Sequence, residues 1–145
     1  MLHALAVLDA SFLVKLVLRE DCSSVALRLF REAVSREEGA HVPCIVFGEV
    51  ANAVWKHLTL LHDIDVDIAE KALSMLGKLQ RVIRVHSIDK LLIDAFHIAS
   101  TYRLTVYDSL YVALAARLGQ KLYTFDRKLV EQSEGLGVRV ILPDC

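Results

Sequence analysis

Amide side chains are nearly missing from this chain: its 145 residues include one asparagine, Asn52, and three glutamines. Depletion of such heat-labile groups is a thermophilic trait. Proline and glycine are scarce too, with two and six residues, which excludes a flexible linker or a disordered tail. No internal repeat or low-complexity run divides the sequence, so it reads as one domain over residues 1–145. Cys22, Cys44 and Cys145 are an odd number and form no CxxC pair. They indicate neither a zinc site nor a disulfide framework, and read as buried or incidental thiols of a reducing cytosol. Only a thermophilic origin would leave room for a disulfide. An excess of positive charge is absent, the formal net charge being -1, which argues against a protein that coats nucleic acid non-specifically. A long hydrophobic run is absent as well. The apolar stretch over residues 2–18 is broken by Asp9 and Lys15, and has neither a basic leader nor a small-residue cleavage site. The expectation is a soluble, cytoplasmic protein with no membrane span.

What is present is apolar. Hydrophobic residues make up 54% of the chain against 24% charged, enough to bury a real core at this length. A mean hydropathy of +0.42 predicts a hydrophobic surface patch for self-association or a peptide partner. Short apolar runs alternate with helical periodicity. Strands are predicted at residues 5–8, 41–42, 82–85, 121–125 and 138–142. Helices are predicted at 10–18, 23–36, 43–61, 67–80, 88–102, 106–118 and 126–134. Pro43 is read as opening the third helix, and Gly119 as closing the sixth. This alternation predicts an α/β fold with a mostly parallel sheet covered by helices on both faces.

Four acids stand out against that pattern. Asp9, in Val7-Leu8-Asp9-Ala10-Ser11, and Asp126, in Tyr123-Thr124-Phe125-Asp126-Arg127, each follow a predicted strand directly. Such sheets bind ligands beyond their strand carboxyl ends. Each acid also suits a helix N-cap, as does Asp108 in Val106-Tyr107-Asp108-Ser109-Leu110. Glu49 resists that reading. It lies well inside a helix and shares a face with Ile45 and Ala53, where a carboxylate needs a partner. A buried pairing with Lys56 or an arginine, or partial exposure at a rim, is the structural alternative to a site. Four clustered carboxylates would repel one another and hold protons at neutral pH. One or two Mg2+ or Mn2+ ions would supply the missing charge, since they prefer oxygen ligands and serve phosphoryl chemistry. Zinc is disfavoured because the six histidines offer no HExxH or similar spacing.

Together Asp9-Ala10-Ser11, Glu49 in its apolar helix, the segment Tyr107-Asp108-Ser109-Leu110-Tyr111-Val112-Ala113-Leu114-Ala115, and Thr124-Phe125-Asp126-Arg127-Lys128-Leu129 resemble the PIN domain family. The likeness spans the whole chain and is greatest to small VapC-type toxins and their archaeal relatives. It implies a three-layer α/β/α sandwich with a five-stranded, mostly parallel sheet. It also implies an Mg2+- or Mn2+-dependent ribonuclease, with Asp9, Glu49, Asp108 and Asp126 as metal-binding acids and Ser11 and Thr124 as polar supports. Many members form dimers and pair with a VapB-type antitoxin. Some carry a further acid after the last aspartate, where this chain has Arg127, Lys128 and Leu129.

Lys15, Arg19, Arg127 and Lys128 lie near the acids in sequence. Lys15 and Arg127 are the phosphate-binding candidates, solvated helix surface being the plainer reading of each. Tyr107 or Tyr111 could stack on a base of single-stranded RNA, although the apolar neighbours of Tyr111 place it in the core. A DNA exonuclease or structure-specific nuclease of the same fold is the alternative, since nothing in the sequence reads the 2′-hydroxyl. A non-catalytic binding scaffold is a further alternative, against which all four acids argue. A receiver domain would want paired acids at the end of the first strand, and a haloacid-dehalogenase-like phosphatase a second aspartate at Ser11. Neither accounts for Glu49.

Overall fold

The computed structural model describes residues 6–145, so Leu5, the first residue of the predicted first strand, lies outside the described residues. The elements run β1 Ala6–Leu8, α1 Ala10–Val17, α2 Ser23–Val34, β2 Ala40–Pro43, α3 Val46–Lys56 with a π-helical turn at His57–Leu61, α4 Val66–Leu79 and β3 Arg84–His86. They continue as α5 Leu92–Tyr102, α6 Val106–Leu118, β4 Lys121–Tyr123, α7 Arg127–Gln132 and β5 Val140–Ile141. The five strands form one sheet of order β3-β2-β1-β4-β5, in which every pairing is parallel. From β1 the chain steps outward to β2 and β3, then returns across the sheet to β4 and β5. Right-handed crossovers therefore put α1–α4 on one face and α5–α7 on the other. The packing agrees: α1 contacts α2, α3 and α4, while α6 packs on α5 and on β1, β2 and β4. The reversal of strand order falls between β1 and β4, the switch point where such sheets bind ligands.

The core sits between these layers. The central strand β1 is fully buried, and the α6 run Ser109–Ala115 is buried all round between α5 and the sheet. Gly119 ends α6 at φ 64, a conformation glycine adopts without penalty. Only two residues then separate α6 from the start of β4. The helix must therefore run antiparallel to that strand, which carries its N-terminus to the end of the sheet where the strands finish.

Three expectations are corrected. Pro43 ends β2 rather than opening a helix, and α3 starts at Val46. The proline is tolerated because β2 pairs with β1 only as far as His41, so its missing N–H lies past that ladder. Residues 88–91 are turn rather than helix, and β3 begins at Arg84. The cysteines are not all incidental thiols. The segment after β5 returns to the α1–α2 turn, where Cys145 is disulfide-bonded to Cys22 with Cα atoms 5.5 Å apart, while Cys44 is free and exposed.

Candidate metal centre

Each of the four acids stands on the first turn of a helix at the switch-point end of the sheet. Asp9 leaves β1 and caps α1, accepting from Phe12 N at 3.0 Å. Asp126 follows β4 and caps α7, accepting from the backbone N–H of Lys128 and Leu129. Glu49 lies in the first turn of α3, and Asp108 in that of α6. The positive ends of four helix dipoles thus face these carboxylates. For Asp108 the capping explanation fails, because Thr105 is the N-cap and its Oγ1 accepts from Asp108 N at 3.0 Å. The Asp108 side chain is not the cap itself, although the Thr105 hydroxyl also hydrogen-bonds to it.

Asp9 is 5% exposed and the most constrained of the four. Ser11 Oγ donates to its Oδ1 at 2.6 Å, and Thr124 Oγ1 donates to its Oδ2. Thr124 also accepts from Asp126 N at 2.9 Å, while Ser11 Oγ accepts from Phe125 N at 2.8 Å. Ser11 and Thr124 therefore stitch the ends of β1 and β4 together through the carboxylate. Glu49 finds neither Lys56 nor an arginine. Its partner is the hydroxyl of the buried Tyr111, which donates to Oε1 at 2.5 Å. The clue was in the sequence: Asp108 and Tyr111 are three apart on one helix and so share a face.

Burial pushes the Asp9 carboxyl up to about 6 despite its hydrogen bonds, and the charge of Asp108 adds to the rise. Burial raises Glu49 too; the Tyr111 hydroxyl opposes the rise and the charge of Asp108 reinforces it. Asp108 is raised by burial and by the charge of Asp126, against a hydrogen bond from Thr105 and the charge of Lys128. Burial and the Glu49 charge lift the Tyr111 phenol far above its ordinary range, so it remains a protonated donor. Asp108 thus couples electrostatically to each of the other three acids.

The donors are all carboxylate oxygens, which suits a hard divalent cation. Among the described residues no three His, Cys, Asp or Glu side chains already converge at ligand distance. Asp9 is turned to Ser11 and Thr124, and Glu49 to Tyr111. Elsewhere His41 and His86 share a 2.8 Å hydrogen bond across β2 and β3, a pair invisible to sequence spacing. Of the basic candidates, Lys15 is committed to Glu20 at 3.1 Å and lies over the Phe125 ring, whereas Arg127 is exposed.

Residues 6–134 match the family model described as PIN domain. Ribonuclease VapC3 of Pyrobaculum aerophilum is 39% identical over 132 residues, which cover 90% of this chain and 95% of that protein. The crystal structure of PAE2754 from the same organism superposes with a TM-score of 0.68 at 26% identity, covering 94% of this chain and 84% of that one. DNA-bound VapBC from Salmonella typhimurium shares the fold with a TM-score of 0.66 at 17% identity, covering 94% and 96%. With nearly its whole length matched by the family model, the chain belongs to the PIN domain family.

Proposed function

We propose that the chain is a divalent-metal-dependent ribonuclease, the toxin of a VapBC-type toxin–antitoxin pair acting in the cytoplasm. The observation that carries this is the placement of Asp9, Glu49, Asp108 and Asp126 at four helix N-termini on the switch-point end of the sheet, with Asp9 held by Ser11 and Thr124 and Glu49 by Tyr111. Asp9, Glu49, Asp108 and Asp126 would hold one or two Mg2+ or Mn2+ ions. Such an ion, when bound, polarises a phosphodiester and lowers the pKa of a water. The chain's own residues prepare the place. Ser11 and Thr124 fix both oxygens of Asp9, and Tyr111 fixes Glu49. Protons held on the raised carboxyls must leave as positive charge arrives. Lys128, whose charge reaches Asp108, and the exposed Arg127 stand where a phosphate backbone would pass.

The ribonuclease assignment draws on the 39% identical relative, and the antitoxin on the VapBC neighbours. Apolar side chains remain for partners: Leu60 and Leu61 after α3, and Ile93 and Phe96 on α5, are exposed. They suit a second copy or an antitoxin segment. No helix among the described residues is long and apolar enough to cross a membrane.

The test compares wild type with Asp108→Asn on labelled single-stranded RNA and DNA, with Mg2+, Mn2+ or EDTA. The expected result is metal-dependent RNA cleavage, abolished by EDTA and slowed about 100-fold or more in the variant, as loss of several kcal/mol of charge stabilisation requires. Cleavage that survives both the substitution and EDTA would sink the reading. Preference for DNA would transfer it to the alternative substrate.

A further inference from the structure

Beside the acids, on the α3 side, lies an open groove of about 450 Å³ whose lining includes Ala10, Gly48, Glu49, Asn52, Lys56 and Tyr107. It starts at the candidate metal centre, because Glu49 belongs to both and Ala10 adjoins Asp9. Glu49, Asn52 and Lys56 are three and seven positions apart on α3, hence on one face, with Lys56 roughly 10 Å along the helix from Glu49. The opposite wall carries Tyr107, next to Asp108 and 58% exposed, whereas Tyr111 one turn on is buried. Gly48 is placed without internal need. A Cβ there would meet nothing within 4 Å, and glycine inside a helix is unfavourable relative to alanine.

We propose that this groove is the subsite for the nucleotide adjoining the scissile phosphate. Tyr107 stacks on its base, the Asn52 carboxamide reads the base edge, and the Lys56 ammonium meets the following phosphate. This deepens the nuclease reading and rests on it. Stacking on one exposed ring requires a base free of its own helix, so the groove selects a single strand over a duplex. A carboxamide offers both a donor and an acceptor, so it can discriminate between base edges, while a lysine is a point charge that cannot. Sequence preference at this position therefore falls to Asn52.

The experiment uses the full chain with Mn2+ and a single-stranded oligoribonucleotide whose cut position has been mapped. A second substrate carries an abasic residue at each flanking position in turn. Tyr107→Leu is expected to raise KM on the intact strand by roughly 5- to 150-fold, the range of a lost base–aromatic stack, with kcat near wild type. It should add no further loss on the strand whose stacked base is already missing. Asn52→Ala should flatten the ranking of the four bases at that same position. Gly48→Leu fills the groove from a wall with open space, so KM should rise while Tm does not fall, leucine being the better helix former. Equal KM values for wild type and all three variants on intact RNA would overturn the subsite. So would a Tyr107→Leu penalty that persists undiminished on every abasic strand. A wild type that cleaves no RNA with any divalent ion would overturn the nuclease reading itself, and the subsite with it.

Discussion

Asp9 accepts three hydrogen bonds, each of which favours its charged form, and burial still overrides them. In the metal-free fold its carboxyl titrates at about 6 rather than 3.8. A carboxyl raised in this way stabilises the fold fully only below its unfolded value, and that contribution disappears as pH rises through 6. Asp9→Asn removes the charge while keeping the acceptor for Ser11 and Phe12. In EDTA the variant should therefore melt several degrees above wild type at pH 8, a gain of about 3 kcal/mol at most. The difference should vanish below about pH 3, where the carboxyl is neutral in the folded and the unfolded chain alike. Thermal melts of the two proteins across that range check it, and comparing them cancels the opposite contribution of His41 and His86, whose pKa values burial lowers. Tyr111 acts at one remove, through Glu49. Tyr111→Phe should weaken Mn2+ affinity about 10- to 100-fold, as loss of a ligand's orienting hydrogen bond does. Saturating Mn2+ should restore most of kcat, which steady-state assays at increasing metal would show. The position of the four acids at the carboxyl end of the sheet could be argued from the sequence, because Asp9 and Asp126 directly follow predicted strands. The partner of Glu49 could not, because a long-range hydrogen bond has no sequence period, and only the shared face of Asp108 and Tyr111 hinted at it.

Among the elements, α6 was read from Val106 to Leu118 as it stands, since an apolar core helix closed by Gly119 leaves little ambiguity. The edges were harder. β3 and β5 are three and two residues long and neither contains a buried residue, so period-two alternation has nothing to repeat. Pro43 misled for a definite reason: proline opens helices and also ends strands, and only the extent of the β1–β2 ladder decides between them. The disulfide escaped because it depends on where the chain's last residues return, not on cysteine spacing. It joins positions 123 apart, and cross-linking so long a loop contributes roughly 5 kcal/mol on the chain-entropy model. Cys145→Ser should accordingly lower Tm by roughly 10–20 °C while leaving RNA cleavage at 25 °C unchanged in the folded variant. Calorimetry with and without reductant checks the first part. A Tm that reductant does not move would contradict it.

Across the whole molecule, strand order explains why residues as distant as Asp9 and Asp126 adjoin. β1 and β4 are neighbours at the point where the chain reverses its direction of travel, and α3 and α6 present their first turns there from opposite layers. Four helix N-termini make that end of the sheet tolerant of negative charge, yet burial first, and the charge of neighbouring acids second, still raise Asp9, Glu49 and Asp108. A divalent cation would offset both. The most direct test is calorimetric titration of Mn2+ into the wild type and into Asp9→Asn, Glu49→Gln, Asp108→Asn and Asp126→Asn at pH 7.5. The shared pocket predicts saturable binding to the wild type, proton release that is slight at pH 7.5 and grows as pH falls toward 6, and affinity at least about tenfold weaker in each variant for which a ligand is lost. Wild-type affinity retained by all four variants, or no binding at millimolar Mn2+, would contradict it.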